Sequence, residues 1–212
     1  MDPLGSIIEW MAVYGAVGLL AVGIAERFIP VMPSYGVLVA IGVAAAGGTW
    51  SVPIAIAMTT FGSFMGGLAM YLFAVALGQS KATRLLYWIG RWLGLSRSRI
   101  EKTVSSFQMR AGTLVFISQL IPTIRLIAPL VAGLIGTDIR RFSGATVLGI
   151  VLWNSLFIFV GYVAVLVVPE INTSALALKV LILLIIAEAI VALFWRLLSR
   201  RSRRLSFSES AS

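Results

Sequence analysis

Long apolar runs recurring along the chain constrain this sequence more than any other feature. Ile7 to Ala25, Pro53 to about Gly78, Phe142 to Val168 and Ala175 to Leu198 each exceed 18 residues and carry few charges. A helix of that length crosses ~30 Å of hydrocarbon. No soluble domain of 212 residues has an interior for all of them, so they predict a polytopic membrane protein. Composition agrees. Apolar residues make up 59% and charged residues 12%, against roughly a quarter charged in ordinary soluble domains; the mean hydropathy is +1.00. The first run has Asp2 and Glu9 as its nearby charges and no basic leader, so it is expected to be retained rather than removed as a signal peptide.

Two residue types are absent. Without cysteine there is no disulfide or thiolate chemistry, and without histidine the commonest general base and neutral metal ligand are missing. Phosphatase, transferase and intramembrane-protease chemistries therefore lack their usual groups. No enzymatic activity, metal or cofactor is expected. The net charge of +9 is not a nucleic-acid signal. Fourteen of seventeen basic residues fall in three patches, Lys81–Arg110, Arg140–Arg141 and Arg196–Arg204. Patches beside apolar spans mark cytoplasmic segments. Their natural partners are anionic lipid headgroups, at about 1 kcal/mol per basic residue.

Two apolar stretches are broken. Glu26 to Gly36 interrupts one with two charges, Pro30, Pro33 and a glycine; Pro122, Arg125 and Pro129 interrupt Thr113 to Ile135. Phe28-Ile29-Pro30 aligns with Leu120-Ile121-Pro122, and the spacing of Gly62, Gly67 and Tyr71 recurs in Gly144, Gly149 and Trp153. This reads as an internal repeat. If each broken segment returns to the side it entered, each repeat crosses the membrane once, so the second is inverted. The expected fold is thus all-α and polytopic. It has two inverted repeats, each a re-entrant helical hairpin plus a transmembrane helix, with flanking N- and C-terminal helices. The domain is one unit over residues 1–205, with re-entrant loops at about 26–50 and 111–138 and a disordered tail at 206–212. An amphipathic cytoplasmic segment at about 79–110 places Leu85, Trp88, Ile89 and Trp92 on one helical face, and Ser98 with Glu101 fits a capping box. Both termini are expected in the cytoplasm. Pro30, Pro33, Pro122 and Pro129 are expected to break the loops, which meet near the midplane as in secondary transporters.

An ionisable group inside a spanning region is costly and is a functional candidate by default. Glu26 is one. Its other reading is an interfacial residue paired with Arg27, which would need broken backbone because neighbours on an intact helix do not face each other. Arg125 lies far from any other basic residue and should sit deep, where a guanidinium keeps its charge and grips phosphate bidentately. Arg27 either joins them, leaving the loops at net +1, or snorkels outward. Trp153 and Asn154 read as helix glue; Glu188 reads equally as a packing contact or a proton site.

Glu26, Pro30, Pro33-Ser34, the glycine-rich helix ending at Gly78, Ile121-Pro122-Thr-Ile-Arg125, Ala132-Gly133 and Arg141-Phe142 resemble the DedA family over roughly residues 20–165. This is the bacterial branch of the proteins sharing the VTT, or SNARE-associated, domain. Two positions depart from it. Tyr35 stands where the family commonly has a carboxylate, and Gln119 where it commonly has a guanidinium. Losing both partners of a buried ion pair is far cheaper than losing one. With Glu26, Arg27 and Arg125, these two complete the expected substrate or ion pathway. The resemblance implies a flippase or scramblase in the bacterial cytoplasmic membrane, moving a lipid phosphate such as undecaprenyl phosphate, or a phospholipid. Proton or sodium coupling and homo-oligomerisation stay open. The alternatives are a coupled transporter of a small solute and a non-transporting envelope-integrity factor.

Overall fold

A computed structural model describes residues 3–29, 34–78 and 108–167, with isolated positions at 81–105 and at 182. Pro30, Pro33, the 169–173 turn, Glu188 and the 206–212 tail lie outside the described residues, as do most of the 79–110 segment and of the 175–198 run.

Among the described residues the chain is all-helical: α1 (Pro3–Phe28), α2 (Ser34–Ala46), α3 (Val52–Ala76), α4 (Ala111–Gln119), α5 (Pro122–Ile135) and α6 (Ile139–Val167). The 25 residues of α3 and 29 of α6 are long and apolar enough to cross a membrane. The 13 residues of α2, 9 of α4 and 14 of α5 reach only about 20, 14 and 21 Å at 1.5 Å per residue, short of a ~30 Å core. Local chemistry sets the ends. Extended Ser51 and Pro53 open α3, and Pro122 opens α5 after extended Ile121. Gly136 closes α5 in the left-handed region at φ 74°. The Asp138 carboxylate then caps α6, accepting the N–H groups of Arg140 and Arg141 at 3.1 and 3.0 Å.

The first run is helical as expected, with a kink at Gly15, where φ is 54° and ψ −128°, a conformation that favours glycine. Two sequence expectations need correction. Helix α1 continues through Glu26 and Arg27 to Phe28, so these residues occupy a last helical turn and not broken backbone. Pro129 does not break its loop; it lies inside α5, which runs on to Ile135. An interior proline is tolerated in an apolar bundle when neighbouring groups satisfy the backbone that it frees.

The packing is matched between the two halves. Helix α1 packs mainly on α3 and α4 on α6, each within its own half; α2 packs on α6 and α5 on α3, each across to the other half; α3 and α6 also touch. Small residues make the close approaches. A Cβ at Gly23 would lie 2.6 Å from the Thr59 carbonyl oxygen, and one at Gly133 2.5 Å from that of Tyr71. Gly42 and Gly161 face the backbones of Ile158 and Val39 in the same way. One apolar cluster holds Leu19, Val39, Ile41, Trp153, Phe157 and Ile158. A second surrounds Tyr71 and Phe142, whose rings stack at 4.4 Å.

Polarity runs inside out. Glu26, Arg27, Ser63, Gln119, Arg125 and Asn154 are buried, while Phe61, Leu72, Phe73, Leu148, Leu156 and Phe159 are exposed. In water such an apolar exterior would drive association. In hydrocarbon it is the solvent-facing side, and the polar groups belong within. The chain is a membrane protein.

Candidate anion site

The buried charges converge on Glu26. Arg125, in the first turns of α5, donates from Nη2 to Glu26 Oε1 at 2.9 Å. Ser63 Oγ on α3 donates to the same oxygen, and Arg27 Nε lies 3.7 Å from it. Neighbours on an intact helix thus approach each other after all, because both side chains turn toward Arg125. Arg27 Nη1 donates to Gln119 Oε1 at 3.1 Å and to the Arg125 carbonyl oxygen at 3.0 Å. Arg125 Nη1 reaches Ser34 Oγ, at the start of α2, at 3.5 Å. The Arg125 guanidinium also lies over the Trp153 ring, 4.9 Å from its centroid, a cation–π contact strengthened by desolvation.

All six helices therefore supply the centre, and it is buried. Relative exposure is 5% for Glu26, 2% for Arg27, 1% for Arg125 and 0% for Gln119. Arg27 points inward; the outward snorkelling weighed above does not occur. Of the expected pathway residues, Glu26, Arg27, Gln119 and Arg125 come together. Tyr35 does not share their hydrogen bonds and packs against Phe157, ring centroids 6.4 Å apart. Gln119 pairs with Arg27 instead.

Sequence reading missed Ser63, Ser34 and Trp153. Ser63 looked like one more small residue among Gly62, Gly66 and Gly67, and Trp153 like helix glue. Asn154 does serve as glue, donating from α6 to Thr59 Oγ1 on α3 at 3.1 Å. An apolar groove of about 540 Å³ between α3 and α6, lined by Ile56, Phe61, Phe64, Val147 and Val151 among others, shares no residue with the charged centre.

Donors outnumber acceptors here. Two guanidiniums face one carboxylate, and Arg27 Nε and Nη2, Arg125 Nε, Gln119 Nε2 and Trp153 Nε1 are buried with no hydrogen-bond partner among the described residues. A buried cation lacking full compensation costs several kcal/mol, and an anion with several acceptor oxygens removes that cost. Fold and site together define a helical membrane protein with a buried, donor-rich charged centre. Residues 32–163 match the VTT domain, and the chain belongs to that family, the DedA family. It is 23% identical over 155 residues to undecaprenyl phosphate transporter A of Staphylococcus aureus, covering 73% of this chain and 76% of that one. It is 31% identical over 87 residues to protein DedA of Escherichia coli K12, covering 36% and 40%. An alkaline phosphatase-like protein of Lactococcus lactis is 27% identical over 156 residues, 73% of each. No solved structure matches the chain.

Proposed function

We propose that this protein carries a lipid phosphate, of the undecaprenyl phosphate or phospholipid type, across the bacterial cytoplasmic membrane. The observation that carries the reading is the surplus of buried donors around one carboxylate. A phosphate group supplies the charge and the acceptor oxygens that this surplus lacks, and the name of the staphylococcal relative points to the same substrate class.

The two halves work as inverted repeats. Their packing is exchanged in the matched way noted above, and helices too short to cross stand before each long one. Re-entrant hairpins, one formed by the part of α1 after the Gly15 kink with α2 and the other by α4 with α5, then present Glu26, Arg27 and Arg125 near the midplane from opposite faces. Arg125 and Arg27 hold the phosphate while the lipid chain stays in the bilayer. Glu26 competes with the phosphate for Arg125, so arrival of the anion frees the carboxylate to take a proton. That exchange couples transport to the proton gradient.

The test uses liposomes holding the protein and labelled polyprenyl phosphate or phospholipid, with and without a pH gradient. The reading expects the lipids to flip intact while water-soluble phosphate esters stay put. Release of inorganic phosphate would favour a hydrolase, and movement of soluble anions alone would favour a solute carrier.

A further inference from the structure

Pro129 sits inside α5, where a residue of any other type would donate its N–H to the carbonyl four residues back. That carbonyl belongs to Arg125. It accepts Arg27 Nη1 at 3.0 Å instead, across 98 residues of sequence. In hydrocarbon an unmet carbonyl is costly, so the acceptor that proline exposes strongly attracts a donor. A charged guanidinium N–H is among the strongest available.

The geometry gives this consequence beyond packing. The same Nη1 also donates to Gln119 Oε1 at 3.1 Å. Two fixed acceptors on one nitrogen of a planar fork set the plane of the whole group. The directions of Arg27 Nε and Nη2, which make no hydrogen bond among the described residues, are then set as well. The proline ring is seated against α3, 3.6 Å from where a Cβ on Gly67 would lie, so its place is well defined.

We infer that Pro129 is a positioning residue of the anion site. By withholding one backbone donor it opens the Arg125 carbonyl as a fixed acceptor for Arg27, and so aims the second guanidinium. The inference rests on reading Arg27 and Arg125 as a joint phosphate site.

The experiment measures binding of a short-chain polyprenyl phosphate to the full-length protein in detergent. Pro129→Ala restores the N–H, which competes with Arg27 for the carbonyl. Binding should weaken about three- to tenfold, the worth of one hydrogen bond. Lactic acid placed at position 129 has neither ring nor N–H and should stay within about twofold of the parent protein, because only the N–H matters. In an Arg27→Gln background, Pro129→Ala should add no further loss, since the interaction it disturbs is already gone. Weakening by lactic acid equal to that by alanine would overturn the inference in favour of ring packing. Equal losses from Pro129→Ala with and without Arg27 would overturn it too. Should the alanine variant fail to insert, Pro129→Gly, which also restores the N–H, takes its place: binding weaker than that of the lactic-acid protein supports the inference, and equal binding by the two defeats it. Unchanged binding by Arg125→Ala would instead defeat the phosphate-site reading itself.

Discussion

Arg27 and Gln119 meet through a 3.1 Å hydrogen bond, and each stands three residues ahead of a proline at the end of the first helix of its half. Each also lies over a glycine of its own half's long helix. A Cβ on Gly66 would lie 3.0 Å from the Arg27 Cβ, and one on Gly149 2.5 Å from the Gln119 Cβ. Two positions with similar surroundings that touch each other are what the proposed inverted repeat would produce.

Exchange of the two side chains should therefore be tolerated. Arg27→Gln alone should cost roughly tenfold or more in lipid-phosphate binding, the worth of a hydrogen bond to a charged group. Gln119→Arg alone crowds a third guanidinium beside two others and should lower stability. The double exchange restores one guanidinium to the pair and should recover most of the binding. A double variant no better than Arg27→Gln would argue against equivalence of the positions.

Orientation gives a second prediction. The chain has no cysteine, so single replacements report without background. Cysteines at Ser98 and Ser206 should react with a membrane-impermeant reagent only from the cytoplasm, and one at Asn172 only from outside. Labelling of Ser98 and Ser206 from opposite sides would rule out the inverted arrangement.

The close helix crossings give a third. Gly23→Ala and Gly133→Ala drive a methyl into backbone atoms at 2.6 and 2.5 Å, and overpacking of this kind costs about 1–3 kcal/mol. Both should lower the thermal midpoint in detergent. Gly112→Ala has no neighbour within 4 Å of its new methyl and should leave the midpoint unchanged; equal midpoints for all three would contradict the packing.

The long elements were legible because hydropathy alone demands them: α3 and α6 fall close to where the apolar runs placed them. Glu26 and Arg125 were legible because a charge in an apolar stretch has few physical excuses. What escaped depends on contacts that the chain order hides. Ser63 meets Glu26 from 37 residues away, and the Trp153 ring faces Arg125 from another helix. The glycine register is off by one: sequence spacing matched Gly67 with Gly149, whereas Gly66 holds the equivalent contact. Pro129 was misread because the rule that proline ends helices assumes water beyond the break, and here a guanidinium takes up the freed carbonyl.

Glu26 gives a fourth prediction. Glu26→Gln removes the negative charge that competes for Arg125 but keeps an oxygen acceptor, so lipid-phosphate binding should persist or tighten. If the proposed coupling through Glu26 holds, dependence of flipping on the pH gradient should vanish. Glu26→Ala removes the acceptor as well, and breaking a buried pair costs about 3–5 kcal/mol, so that protein should be markedly less stable. Gradient-driven flipping that survives Glu26→Gln would remove the carboxylate from the coupling step.

Arg125 carries the central claim, because it alone touches Glu26, Ser34, the Trp153 ring and, through its carbonyl, Arg27. The decisive measurement is flipping of labelled polyprenyl phosphate in liposomes by Arg125→Lys and Arg125→Ala, with insertion checked in the same vesicles. Both variants should insert, since the basic patches that set orientation are untouched. Lysine keeps the charge but not the planar fork, so it should lose roughly tenfold or more, and alanine nearly everything. Full flipping by a correctly inserted Arg125→Ala protein would contradict the phosphate clamp.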